Sequence, residues 1–249
     1  MIKLLVILLL TISSNAYAFE LIAHRGKSGK AKENTIEAIS NSWGIGANAV
    51  EIDVRISKDE VLYLFHDDKI DGAKIEALSF QELLKLDNDI CKLETIFNLD
   101  VPEGYYILDL KNDGDVFAKR IKSLFKSTNF PMSKIAFQSY DLKLLKLLKR
   151  ELPNSQIILI SKLKKEFPWI VEPSNSKLIK ILSENNISIV SIKGRSFVDK
   201  YFIKGFKDRG IKVIIWNINN FDRINFYRNI GVDGVVTDKS SEYINVIQR

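Results

Sequence analysis

Only two histidines occur among 249 residues, His24 in Ala23-His24-Arg25-Gly26 and His66 in Phe65-His66-Asp67. Glu51-Ile52-Asp53 lies between them, and Asp109-Leu110-Lys111 follows. Histidine is the side chain that titrates nearest neutrality, so two of them among carboxylates point to proton transfer. Residues two apart on a strand share a face, so Glu51 projects with Asp53 and Asp109 with Lys111. Three carboxylates converging from two strands repel one another, and a hard divalent cation, Ca2+ or Mg2+, relieves that repulsion. A second reading of the same residues is a buried ionic network with Arg25, Arg55 and Lys111.

Arg25 also suits a phosphate as a planar fork, and Lys111 as a second positive charge. Trp216 closes an apolar run and reads either as a pocket wall or as a core residue. Taken singly, His24 reads as a satisfied core histidine and His66 as a strand-end residue capped by Asp67. Taken together, at one end of one fold with the acids, they read as a site.

Short apolar, β-branched runs alternate with amphipathic stretches along the chain, which is the pattern of parallel βα units. Strands are expected at 20–24, 49–53, 105–110, 135–139, 156–160, 188–192, 212–218 and 234–237. Eight strands with helices between them predict an α/β chain folded as a closed (β/α)8 TIM-type barrel. No glycine-rich phosphate fingerprint follows the first strand to favour an open doubly wound sheet. In such barrels chemistry belongs to the C-terminal strand ends, where the residues above fall.

A ninth apolar run, 61–66, follows the second strand after only four residues, too few for a parallel connection. Residues 54–65 therefore read as a hairpin arm. A turn near Asp59 would set His66 opposite Ile52, beside Glu51 and Asp53. Helices are expected at 116–126, 141–151, 176–184, 198–209 and 222–229. Two shorter ones, 79–86 and 93–97, form a short insertion before the strand at 105. The first helix reads from Asn34-Thr35-Ile36-Glu37, with Asn34 as its cap and Ile36, Ile39 and Trp43 on its apolar face.

Composition narrows the classes further. The formal charge is +6, and lysines at 143–150 and 162–165 interleave with apolar residues at helical spacing. These are expected to be solvated helix faces, and no nucleic-acid partner is expected. Cys91 is the only cysteine, so no intramolecular disulfide can form. Residues 1–18 read as a signal peptide, with Lys3, an apolar run at 4–10 and Ala16-Tyr17-Ala18 before the cut. That run is far short of the ~20 residues a bilayer span needs, so no stable span is expected. Residues 19–249 carry no linker and read as a single domain, periplasmic or secreted.

The strings His24-Arg25-Gly26, Glu33-Asn34-Thr35, Gly46-Ala47-Asn48-Ala49-Val50-Glu51-Ile52-Asp53-Val54 and His66-Asp67 resemble the glycerophosphodiester phosphodiesterase family in type and order. Leu108-Asp109-Leu110-Lys111, Gln138-Ser139-Tyr140, Trp216-Asn217-Ile218-Asn219 and Gly231 to Asp238 resemble its later strand ends. The resemblance implies a barrel that hydrolyses small-molecule glycerophosphodiesters to glycerol 3-phosphate and an alcohol with a divalent cation. It implies His24 and His66 as the acid-base pair, Glu51, Asp53 and Asp109 as metal ligands, and Arg25 and Lys111 as phosphate holders. Glu33, Asn34 and Trp216 are expected on the substrate side. The chain departs from the family pattern in having Asp109 for Glu, Lys32 for Pro, and a shortened stretch after His66-Asp67, which implies a more open pocket. Two rival readings are a related barrel phosphodiesterase for lysophospholipid or sphingomyelin and a non-catalytic phosphodiester-binding barrel.

Overall fold

Runs of Ile, Val and Leu become strands wherever the sequence alternates between two buried surfaces. In chain order they are β1 (Glu20–Ala23), β2 (Ala49–Ile56), β3 (Leu62–Leu64), β4 (Lys69–Ile70), β5 (Ala73–Lys74) and β6 (Tyr105–Leu110). Then come β7 (Ile135–Ser139), β8 (Gln156–Ser161), β9 (Ile189–Lys193), β10 (Lys212–Trp216) and β11 (Gly234–Thr237). This computed structural model describes residues 19–101, 103–161 and 175–247. The signal peptide expected at 1–18 and the lysines at 162–165 lie outside the described residues.

Eight strands pair in parallel in the order β1-β11-β10-β9-β8-β7-β6-β2, and β1 also pairs with β2, which closes the barrel. The helices around it are α1 (Ile36–Gly44), α2 (Phe80–Leu86), α3 (Gly114–Ser127), α4 (Leu142–Glu151), α5 (Ser176–Glu184), α6 (Lys200–Lys207), α7 (Phe221–Asn229) and α8 (Ser240–Ile247). Those that cover the barrel turn an apolar stripe to the sheet, while α2 belongs to the insertion. In α4, Leu144, Leu145 and Leu148 are buried while Lys143, Lys146, Lys149 and Arg150 stay exposed. The expected barrel with its hairpin arm and insertion is therefore the observed fold.

Alternation along the strands decides what the barrel holds. Ile22, Ala49, Ile107, Ala136, Ile158, Ile189, Ile214 and Val236 point inward and form an apolar plug. Two residues further on, six of those strands offer His24, Glu51, Asp109, Gln138, Trp216 and Asp238 on the same face. The polar layer thus sits on the plug at the C-terminal mouth, while a separate larger core lies between strands and helices.

The arm follows the expected register: β3 runs antiparallel to β2 with Leu64 opposite Val54 and Leu62 opposite Ile56. The Phe65 N–H then donates to the Asp53 carbonyl at 3.1 Å, so the same register delivers His66 to the mouth. Tyr63, Ile75, Phe80, Leu83 and Ile90 give the insertion a small core of its own.

One expectation is corrected. Helix α1 is capped by Thr35, whose Oγ1 accepts from the Ala38 N–H at 3.2 Å, and not by Asn34. Asn34 adopts a left-handed backbone, φ 57°, and is turned toward the barrel. Helix α8 and the β4–β5 hairpin have no counterpart among the expected elements. The hairpin strands are two residues each, too short to show a period.

Candidate active site

The first strand ends in a sharp turn. Arg25 adopts a left-handed conformation, φ 54°, and Gly26 follows at φ 70°. A Cβ on Gly26 would lie 3.0 Å from Ile39 Cγ1 and 3.1 Å from the Ile39 backbone nitrogen, so glycine is required by both conformation and space. The turn aims the Arg25 N–H at Glu51 Oε2, 2.9 Å away. It also sends the Arg25 guanidinium to Glu33, 2.5 Å from Oε1, with Nε 3.4 Å from Asp53 Oδ2.

Glu51 and Asp53 on β2 meet Asp109 on β6, and one oxygen of each lies within 4.8 Å of the others. All three residues are buried. Lys111 reaches back from beyond β6, its Nζ 2.8 Å from Asp53 Oδ1 and 2.5 Å from Asp109 Oδ2. Asn34 Nδ2 donates to Asp53 Oδ2 at 2.8 Å, and the Asp53 N–H donates to Asn34 Oδ1 at 2.9 Å. Arg55 stays out of this network and donates instead to the His66 carbonyl, at 2.6 Å from Nη2.

The charges do not balance within the protein. Burial pushes the Glu51 carboxyl up to about 8, and the neighbouring Asp53 adds to the rise. Burial also raises Asp109, against the pull of Lys111. For Asp53 the burial penalty is outweighed by Lys111 and by hydrogen bonds from Lys111 and Asn34, which hold it below the ordinary carboxylate value. Burial alone would lower the Lys111 ammonium, but Asp53, Asp109 and Glu51 hold it up. Lys111 therefore serves Asp53 and Asp109, Arg25 lies near Asp53, and Glu51 makes no ion pair among the described residues. An all-oxygen donor set with a charge deficit fits a hard divalent cation.

The histidines flank this cluster. His24 Nδ1 is 2.6 Å from Asp238 Oδ1 at the end of β11. Burial pulls His24 down, but the hydrogen bond to Asp238 and the nearby Glu51 outweigh it and raise the imidazole above its ordinary value. His66 Nδ1 is 2.7 Å from Asp67 Oδ1. Both rings line one cavity of about 530 Å3 with Arg25, Glu51, Asp109 and Lys111. Trp216 walls that cavity, with Lys193 Nζ 5.6 Å from its ring centroid.

Of the expected site residues, His24, His66, Arg25, Lys111, Glu51, Asp109 and Trp216 thus share one cavity, and Asp53 lies directly behind it. Glu33 and Asn34 do not line that cavity. They brace Arg25 and Asp53 and open onto a neighbouring groove of about 340 Å3 that His66 also lines. Lys32 pins the edge of this groove to the insertion through Asp87 and Asp89, at 2.5 and 3.1 Å. Asp238 was legible only as a polar strand end. Its contact with His24 follows from closure, because Ala23 pairs with Thr237 across the first and last strands. Gln138, Tyr140 and Lys193 also line the cavity; the first two fall within a string that resembles the family, and Lys193 carries no motif signal.

A barrel whose C-terminal mouth gathers three carboxylates, two histidines and two cations defines a class of phosphodiester hydrolase. Residues 24–242 match the model of the glycerophosphoryl diester phosphodiesterase family. The chain belongs to that family and is a phosphoric diester hydrolase. It is 26% identical over 251 residues to a glycerophosphodiester phosphodiesterase of Caldanaerobacter subterraneus, covering 92% of this chain and 98% of that one. It is 25% identical over 259 residues to a lysophospholipase D of Homo sapiens, covering 87% and 82%. A crystal structure of a glycerophosphodiester phosphodiesterase from Thermotoga maritima superposes with a TM-score of 0.72 at 25% identity, covering 92% of this chain and 98% of that chain. An Oleispira antarctica phosphodiesterase, in complex with its product sn-glycerol-3-phosphate, shares the fold with a TM-score of 0.79 at 23% identity, covering 94% and 98%. Family membership and the acidic cluster support metal-dependent hydrolysis of a glycerophosphodiester to glycerol 3-phosphate as the general activity. Among the described residues no helix is long and apolar enough to cross a membrane.

Proposed function

We propose that this hydrolysis uses His24 and His66 as an acid-base pair on either side of one phosphate. The carrying observation is their convergence with Glu51 and Asp109 on a single cavity. Glu51, Asp53 and Asp109 would hold Ca2+ or Mg2+, which when bound supplies charge neutralisation at a non-bridging phosphate oxygen. Arg25 and Lys111 add positive charge where the pentavalent transition state gathers negative charge. One imidazole takes the proton of the nucleophile, water or a glycerol hydroxyl, and the other returns a proton to the leaving alkoxide.

The substrate class proposed is a glycerophosphodiester, and because relatives named glycerophosphodiester phosphodiesterase and relatives named lysophospholipase D both match along the chain, a lysophospholipid is the alternative. Export through the leader at 1–18 completes the proposal, placing the enzyme in the periplasm or outside the cell. The test is release of glycerol 3-phosphate from glycerophosphocholine by the purified protein, compared with turnover of lysophosphatidylcholine. Activity should vanish in EDTA, return with Mg2+ or Ca2+, and fall at least about 100-fold in His66→Ala. Full turnover in EDTA would defeat the cation, wild-type turnover of His66→Ala would defeat the acid-base role, and preference for lysophosphatidylcholine would move the substrate class.

A further inference from the structure

The end of β11 holds a cluster that the proposed chemistry does not yet use. Asp238 is 2.6 Å from His24 Nδ1 through Oδ1, and its other oxygen accepts from Asn217 Nδ2 at 2.8 Å and Asn219 Nδ2 at 2.5 Å. Asn219 is fixed in turn: its Oδ1 accepts from the Asp238 N–H at 2.9 Å and from Thr237 Oγ1 at 3.0 Å. Among the described residues the only ion pair of this carboxylate is with His24. The hydrogen bonds from His24, Asn219 and Asn217 overcome its burial and hold it far below the ordinary carboxylate value, so it is ionised at neutral pH.

An ionised carboxylate can only accept a hydrogen bond. At 2.6 Å, a lone pair on His24 Nδ1 would face a lone pair on Asp238, so Nδ1 must carry the proton. Asn217 Nδ2 lies 3.1 Å from the same ring nitrogen and would compete by donating to it. Its better partner is Asp238 Oδ2, which is closer and charged. With Nδ1 protonated, the neutral ring keeps its lone pair on Nε2, and the ring lines the catalytic cavity.

We propose that Asp238 is a positioning residue that fixes His24 as the Nδ1–H tautomer, so that Nε2 offers a lone pair to the reacting diester, while Asn217 and Asn219 hold Asp238 in place. In the step it serves, Nε2 accepts the proton of the nucleophilic oxygen as that oxygen bonds to phosphorus, the P–O bond to the leaving alcohol breaks, a protonated His66 gives its proton to the departing alkoxide, and the imidazolium formed at His24 is neutralised by Asp238. This rests on the acid-base reading above. Other carboxylate-oriented histidines follow the same physical logic, in which the outer partner selects the tautomer and stabilises the charged ring.

The experiment is a long-range 1H–15N spectrum of the purified, 15N-labelled protein at a pH where His24 is neutral. Because the chain has two histidines, the spectrum of His66→Gln leaves His24 alone and assigns it. The wild type should show a protonated Nδ1 and a bare Nε2. In Asp238→Asn that preference should be lost, with kcat down about 10- to 100-fold and KM changed less than about twofold. A wild-type His24 protonated on Nε2 overturns the proposal without any variant, which covers the case in which Asp238→Asn fails to fold. An unchanged tautomer or unchanged kcat in a folded Asp238→Asn overturns it as well. The Nδ1–H tautomer in a wild type with no phosphodiesterase activity would instead remove the acid-base reading and leave the orientation standing.

Discussion

Glu51 is the least compensated acid of the site, because its carboxyl is buried and makes no ion pair among the described residues. Its value rises from the ordinary 4.5 to about 8, through burial first and Asp53 second. Between those two pH values the metal-free folded chain keeps the Glu51 proton and the unfolded chain does not. Stability therefore falls as pH rises through that window, by at most about 1.4 kcal/mol per unit for one proton. His24, also raised, slopes the same way: its contribution is complete below its ordinary 6.5 and is lost as pH rises through the folded value. Asp53 acts outside the window, since its lowered value adds stability that disappears only as pH drops below the ordinary 3.8. Thermal melts in EDTA should accordingly show Tm falling from pH 5 to pH 8. Saturating Mg2+ or Ca2+ supplies the missing charge, keeps Glu51 ionised and should flatten the slope. Identical slopes with and without the cation would take Glu51 out of the ligand set.

At the scale of elements, the turn into α1 separates two adjacent residues that look alike in sequence. Thr35 caps the helix, while Asn34 makes a pair of hydrogen bonds with Asp53, one to its carboxylate and one from its backbone. Hydrogen bonds to buried charge are worth about 1.5–3 kcal/mol, and a Cβ-bearing residue in the left-handed region costs about 1 kcal/mol more where no side-chain bond repays it. Asn34→Ala should therefore lose about 2–4 kcal/mol in urea denaturation and also weaken cation binding, because Asp53 is no longer held. Thr35→Ala should cost about 1 kcal/mol and leave cation affinity unchanged. Equal effects of the two on cation affinity would remove Asn34 from the support of the site. The pair also shows where sequence reading stops. An Asn before a helical period has the signature of a cap, and what redirects it is a positive φ and a carboxylate 19 residues away. By contrast, strand positions and the hairpin register were legible, since both follow from period-two alternation and from a connection too short for any parallel crossing. The local triplets that make the site were legible for the same reason: they sit on strands whose inward face is fixed by their apolar neighbours.

The whole molecule depends on closing a ring between its first and last strands, β1 and β11. His24 and Asp238 are 214 positions apart and meet only because β1 pairs with β11 on one side and β2 on the other. That contact carries no local signal, which is why a reading by motif reached each partner without joining them. It also makes β1 the element on which closure can be tested. Leu21, Ile22 and Ala23 are fully buried, and the Glu20 N–H donates to the Asp233 carbonyl at 2.9 Å. Losing the burial of Leu21 and Ile22 alone costs about 1.5–3 kcal/mol each, and the strand's ladder hydrogen bonds on both sides go with them. Against a total stability of about 5–15 kcal/mol, that loss is enough to open a marginal barrel. Cleavage after Ala18 would spare the strand entirely, so a chain beginning at Phe19 should melt within about 2 °C of the full chain. A chain beginning at Ala23 should show no cooperative transition above 37 °C and no cation-dependent rise in Tm, because neither the ring nor the mooring of His24 survives. A cooperative melt of that shorter chain within a few degrees of the longer one would mean that β2 and β11 can hold the mouth together without β1.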